Sequence, residues 1–179
     1  ETGPNTDGVL NDEMTTGSLT SGQISGSHDF GYHRSGTTAV GDTLYYDWDG
    51  DGVQDSNEEG IPNVTVYLYE DADGDGNIDA GVDGLISTTT VAGTGGLHPP
   101  GYYTFTNLGQ DDYIVVVDTG DADFPSSVVQ TQDPDVDGVC EACDRYGSAD
   151  TTGGTSVDDI DFGYQPVAPA ASGTPSGRT

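Results

Sequence analysis

Apolar and polar residues alternate at a period of two wherever a pattern can be read along this chain. No segment of helical length repeats apolar residues at i, i+3, i+4 and i+7. The clearest run is Asn63 to Tyr69, with Val64, Val66 and Leu68 on one face and Thr65, Tyr67 and Tyr69 on the other. Comparable runs are Thr38 to Tyr46, Leu85 to Val91, Tyr102 to Thr106, Tyr113 to Asp118, Ser127 to Thr131 and Val157 to Tyr164. Gly-rich and Asp-rich turns separate these seven runs, so the pattern predicts an all-β, seven-stranded Ig-like or prealbumin-like β-sandwich.

Composition changes this picture in one respect. The chain has 179 residues, with 32 Asp plus Glu against 3 Lys plus Arg and a formal net charge of -29. Nucleic acid and anionic membrane surfaces are therefore excluded as partners, since both are polyanions. The basic residues are Arg34, Arg145 and Arg178, and there is no lysine, so lysine-dependent chemistry is ruled out. Leu, Ile, Val and Phe together make 33 residues, a share that at this charge is typical of disordered chains. A folded domain must therefore offset its own repulsion. Asp outnumbers Glu 26 to 6, and Asp is the residue of turns and of oxygen-ligated cation loops. Calcium is the expected cofactor, with two or more ions.

Three Asp runs carry this expectation. Asp47, Asp49, Asp51, Gly52, Val53, Asp55 and Glu58 fill positions 1, 3, 5, 6, 7, 9 and 12 of a twelve-residue calcium loop. In such a loop Gly52 permits the sharp turn, Val53 offers its carbonyl and Glu58 binds through both oxygens. The second run, Asp71, Asp73, Asp75, Gly76, Asn77 and Asp79, matches the first nine positions but has Val82 at position 12. Its last ligand must come from Asp83, a distant carboxylate or water. A third, weaker run holds Asp133, Asp135, Asp137 and Gly138, with Glu141 at position 9 and Asp144 at position 12. Turn formation and a solvated acidic surface are the competing explanation for all three. The segment between the first two loops, Ile61 to Glu70, alternates as a strand and starts with Ile61-Pro62. The helices that flank such loops in EF-hands and dockerins are thus not expected.

Cys140 and Cys143 form a single C-x-x-C inside the third run. This spacing suits a redox pair, half of a zinc site or a short local disulfide. There is no βαβ pattern and no second cysteine pair, so a local disulfide and an oxidising compartment are favoured.

Asp29-Phe30-Gly31-Tyr32 recurs as Asp161-Phe162-Gly163-Tyr164. The first copy reads as the closing strand of a preceding repeat or as a donor strand, which divides the chain into residues 1–32, a sandwich at 33–167 and a Pro/Ala/Ser/Gly linker at 168–179. The first residue is Glu1 rather than Met; a processed protein or a piece of a longer one is expected. No run of 18 apolar residues exists, so membrane insertion is not expected.

Several ordered motifs between Val40 and Tyr164 together resemble the SdrD B-like calcium-binding repeat, a relative of the collagen-adhesin B-type domain. They are Gly41-Asp42-Thr43-Leu44-Tyr45-Tyr46-Asp47, Asn57 to Val64, Gly101 to Leu108, Asp133-Pro134-Asp135 and the closing Asp161 to Tyr164. The resemblance implies a β-sandwich in a secreted or wall-attached microbial surface protein, usually in tandem, with calcium held by Asp47, Asp49, Asp51, Val53, Asp55 and Glu58 and by the Asp71 and Asp133 runs. Some relatives carry an isopeptide crosslink from lysine, which this chain cannot form.

No nucleophile-and-base arrangement or phosphate loop can be read, and His28, His33 and His98 have unremarkable surroundings, so catalysis is not expected. Two classes of function follow. One is a structural module of a stalk, adhesin or filament built head to tail, its partners neighbouring copies met through residues 1–32. The other is an accessory module recognising glycan or a host protein; Trp48 offers a ring that stacks on a sugar or, the favoured reading, covers the sandwich edge.

Overall fold

Val64, Val66 and Leu68 are fully buried while the residues between them are not, as the two-residue period requires. The computed structural model describes residues 35–136 and 138–167, and every regular element among them is a strand. These are β1 (Ser35–Tyr46), β2 (Thr65–Glu70), β3 (Gly84–Thr90), β4 (Tyr102–Leu108), β5 (Asp112–Val117), β6 (Val128–Gln132), β7 (Tyr146–Asp150) and β8 (Phe162–Pro166). They form two four-stranded sheets, ordered β4-β1-β8-β6 and β3-β2-β5-β7. The proposed donor segment 1–32 and the linker 168–179 lie outside the described residues.

One core serves both sheets. Val40 and Leu44 of β1, Tyr103 and Phe105 of β4 and Phe162 and Tyr164 of β8 meet Val66, Leu68, Tyr113, Val115 and Val117 of the other sheet. Phe124 closes the cluster edge-on against Tyr164, with ring centroids 5.0 Å apart.

Among the described residues the strand count is eight, not seven. The additional strand is β7, whose sequence Tyr-Gly-Ser-Ala-Asp lacks the apolar alternation that marks the others. Its pairing with β5 and the close approach of Pro134 and Ile160 to Gly147 hold it extended, so tertiary contact overrides a neutral local sequence. The closing strand is also shorter than its sequence pattern. Val157 forms an isolated bridge with Val40, Ile160 N–H donates to the Gly41 carbonyl at 3.3 Å, and regular pairing begins only at Phe162.

Topology fixes where the acidic loops fall. β8 runs parallel to β1, with Leu44 to Tyr46 opposite Phe162 to Tyr164, so the sandwich begins at the start of β1 and leaves beyond its end. At roughly 3.3 Å per residue, these two ends of β1 are on the order of 35–40 Å apart. The loop after β1 lies at this downstream end. β4 ends opposite the start of β1, the turn after it leads into β5, and β2 ends opposite the start of β5. The loop after β2 therefore lies at the upstream end.

Phe162 is fully buried between the sheets, whereas Val129 on β6 is 48 % exposed. Phe162→Ala is expected to cost about 3–5 kcal/mol and Val129→Ala less than about 0.5 kcal/mol, measured by urea unfolding.

Candidate metal centres

The first loop is built around Asp47, which directly follows β1 and is wholly buried. Its Oδ1 accepts the Gly50 N–H at 2.6 Å and its Oδ2 accepts the Gly52 N–H at 3.0 Å. Both glycines sit at positive φ, 76° and 78°, where other residues are strained. Asp51 caps the Val53 N–H at 2.9 Å. Glu58 closes the loop: Oε1 accepts the Trp48 N–H at 2.7 Å and Oε2 the Asp55 N–H at 2.9 Å. Carboxylate oxygens of Asp47, Asp49 and Glu58 gather within 4.8 Å of one another. The chain then returns beside β1, with the Tyr46 N–H donating to Glu59 and the Ile61 N–H to Leu44, and Gly60 passes so close to Pro100 that a Cβ there would overlap its carbonyl oxygen.

The second loop repeats this geometry group for group. Asp71 Oδ1 accepts the Gly74 N–H at 2.8 Å, its Oδ2 accepts the Gly76 N–H at 3.0 Å, and both glycines again have positive φ. Asp75 caps the Asn77 N–H at 2.8 Å. The closing role falls to Asp83. Its Oδ1 accepts the Ala72 N–H at 3.0 Å and its Oδ2 the Asp79 N–H at 2.6 Å, the same two loop positions that Glu58 binds. Asp is one methylene shorter than Glu, and a place one residue further along brings its carboxylate to the same station. Asp71, Asp73 and Asp83 form one oxygen cluster, and Asp73, Asp75 and Asp79 another. Asp49 and Asp73, which occupy the same position in the two loops, are both held above the ordinary carboxylate value, first by desolvation and then by neighbouring carboxylates.

The third run is arranged differently. Asp133 is buried and accepts the N–H groups of Asp135, at 3.3 Å, and Asp144, at 3.0 Å. Asp135 turns to β7, where its Oδ1 accepts the Ser148 N–H at 3.0 Å, and Asp144 caps Tyr146. Cys140 and Cys143, joined in a disulfide, stand beside Asp133. Asp137 lies outside the described residues. This loop packs on the first, since a Cβ on Gly52 would stand 3.2 Å from the Gly138 carbonyl carbon and the Val139 nitrogen.

The donor set of loops one and two suits calcium. Every candidate side-chain ligand is a hard oxygen, and the carboxylates converge with no lysine in the chain to pair them. Buried Asp47 has a further neighbour in Tyr45, whose hydroxyl is buried without a hydrogen-bond partner. Burial pushes the Tyr45 phenol up, and the charge of Asp47 adds to the shift. A cation compensates such a group of desolvated anions.

Residues 38–164 match the family model of the SdrD B-like domain. This chain belongs to that family. No curated protein matches it. The SdrD B-like domain is a structural module of the adhesin type rather than an enzyme family, and such domains occur in microbial surface proteins. No helix among the described residues is long and apolar enough to cross a membrane.

Two carboxylate groups of this SdrD B-like domain carry no spacing signal. Asp112 of β5 faces Asp150 of β7 and lies beside loop two, where its carbonyl accepts the Asp71 N–H; its carboxyl is raised by desolvation and then by Asp150. Asp161 accepts the Thr43 N–H at 2.9 Å, and burial followed by the charge of Asp42 raises it to about 6. An ordinary Asp titrates near 3.8, so between these values the native state holds a proton that the unfolded chain has released. Stability from this group therefore falls as pH rises through that window. Asp161→Asn is expected to melt higher than the parent above pH 6, the advantage vanishing toward pH 3.8, read from melting temperatures across a pH series.

Proposed function

We propose that this SdrD B-like domain is a calcium-stabilised structural module of an extracellular surface protein, placed in series along a stalk, adhesin or filament. The observation that carries the reading is the position of the two matched loops, one at each end of β1. In a head-to-tail series each loop stands next to a junction, where a bound ion stiffens the joint. The parallel pairing of β1 with β8 supports the same reading. A pull on the two ends of the domain loads those hydrogen bonds together in shear, rather than one after another.

Calcium acts through binding to the folded state. Asp47, Asp49, Asp51, Asp55, Glu58 and the Val53 carbonyl hold one ion; Asp71, Asp73, Asp75, Asp79, Asp83 and the Asn77 carbonyl hold a second. Bound calcium neutralises carboxylates that otherwise repel, and an ion that binds only the native chain adds to its stability by mass action. A second reading, a glycan- or protein-binding accessory module, rests on Trp48. Its ring stacks on Tyr46 at 5.3 Å and is 51 % exposed. Retention on immobilised glycan that disappears in Trp48→Ala favours that reading.

Excess chelator is expected to lower the melting temperature, and an unchanged value overturns the calcium reading. Isothermal titration distinguishes the ligands. Glu58→Gln and Asp83→Asn should each weaken one site about 10- to 100-fold, whereas Ser56→Ala and Val82→Ala leave both sites as they are.

A further inference from the structure

From Gly84 to Gln110 the chain carries no Asp, Glu, Lys or Arg, in a protein with 32 acidic residues. The fold uses this stretch for β3, the connection at 91–101 and β4. β3 is the outer strand of one sheet and β4 of the other, and the two strands are in contact along the same side of the sandwich. Leu85 is 54 % exposed on this wall, and Leu97 is fully exposed.

β3 pairs with β2 alone among the described residues. Natural proteins blunt a free edge with charge, proline or a covering loop, because its unpaired N–H and C=O groups recruit another strand. The opposite edge of this sheet, β7, is blunted in that way by the Asp135 carboxylate on the Ser148 N–H. β3, Gly-Leu-Ile-Ser-Thr-Thr-Thr, has no charge and no proline, and beyond a bulge at Ile86 its register from Ser87 to Thr90 is regular.

We propose that the free edge of β3 joins copies of this chain, and that residues 14–28 of a second copy fill it as an added strand. This deepens the structural-module reading and rests on it. Two molecules of charge -29 repel, and the uncharged wall lets them approach without setting carboxylates against each other. Residues 14–28, Met-Thr-Thr-Gly-Ser-Leu-Thr-Ser-Gly-Gln-Ile-Ser-Gly-Ser-His, are themselves free of charged side chains. Main-chain hydrogen bonds supply the affinity, and Leu19 and Ile24 supply apolar contact with the wall. The six residues from Asp29 to β1 span at most roughly 20 Å, at about 3.3 Å each. Donor and acceptor are different surfaces, so the contact is heterologous and propagates as a chain of molecules.

Sedimentation velocity of the full chain in calcium, over a concentration series, tests this with Thr88→Asp as the acceptor variant and Ile24→Asp as the donor variant. Thr88 is exposed on β3, and both variants should keep the parent's melting temperature, which separates lost assembly from lost folding. The parent is expected to form concentration-dependent oligomers, and each variant should need at least tenfold higher concentration to do so. An equimolar mixture of the two variants should stop at a heterodimer, because it contains one working donor and one working acceptor. A parent that stays monomeric, a Thr88→Asp chain that assembles like the parent, or β3 amides that lose protection in a monomeric Ile24→Asp chain would each overturn the proposal. The last result would mean that the segment covers β3 of its own copy. None of these outcomes alters the chelator-dependent melting of the domain, so the calcium reading fails or stands separately.

Discussion

The rest of this domain depends on an excess of negative charge that three arginines barely offset. The chain has no lysine, and Arg145, the one arginine among the described residues, donates to the Thr119 hydroxyl and lies over the Tyr146 ring. The carboxylates are held by backbone N–H groups instead. Asp47, Glu58, Asp71, Asp83 and Asp133 each take at least two. These bonds shape the loops and aim the carboxylates, but they leave the total charge unchanged. Loops built in this way attain a compact form at the cost of concentrated repulsion between their carboxylates.

The parallel pair of β1 and β8 turns local loop chemistry into a property of the whole domain. Asp47 N–H donates to the Tyr164 carbonyl, so the first loop is tied directly to the strand by which the chain leaves. The Gln165 side chain adds a bond to the Trp48 carbonyl, and the disulfide-bearing third loop packs against Gly52. Loop one is therefore bonded to β8, which in turn pairs with β6. At the other end, Asp71 bonds Asp112, and Thr151 ties the Gly109 and Asp111 carbonyls together, so loop two is tied to the start of β5 and the end of β7.

The alternation of Val64, Val66 and Leu68 was enough to place β2, and the spacing of Asp47 to Glu58 was enough to place a loop at the end of β1. β7 was not legible, because Gly147, Ser148 and Ala149 are small and become a strand only through contact with β5, Pro134 and Ile160. Asp83 was legible only as one choice among several. Spacing rules count residues, whereas the loop selects a carboxylate position, and a shorter side chain from one residue further along reaches it equally well. The third run shows the converse: its spacing resembles the others, yet Asp135 is drawn away to Ser148 because β7 offers its N–H nearby. Asp112 and Asp150 lie 38 positions apart in sequence and meet only through strand register.

Charge is segregated across the described domain. Acidic residues crowd the loops at the two ends of β1 and the third loop on the β6–β7 side, while the β3–β4 side has none between Gly84 and Gln110. In a chain of average composition an uncharged wall would be ordinary surface. At -29 it is a face of the described domain along which like molecules avoid close carboxylate contact, and salt screening over about 8–10 Å softens the remaining repulsion. A divalent cation bound at either loop would act in the same direction, because each ion would remove two units of that charge. The composition that concentrates carboxylates in the loops thus also leaves the β3–β4 side as the uncharged face of the described domain.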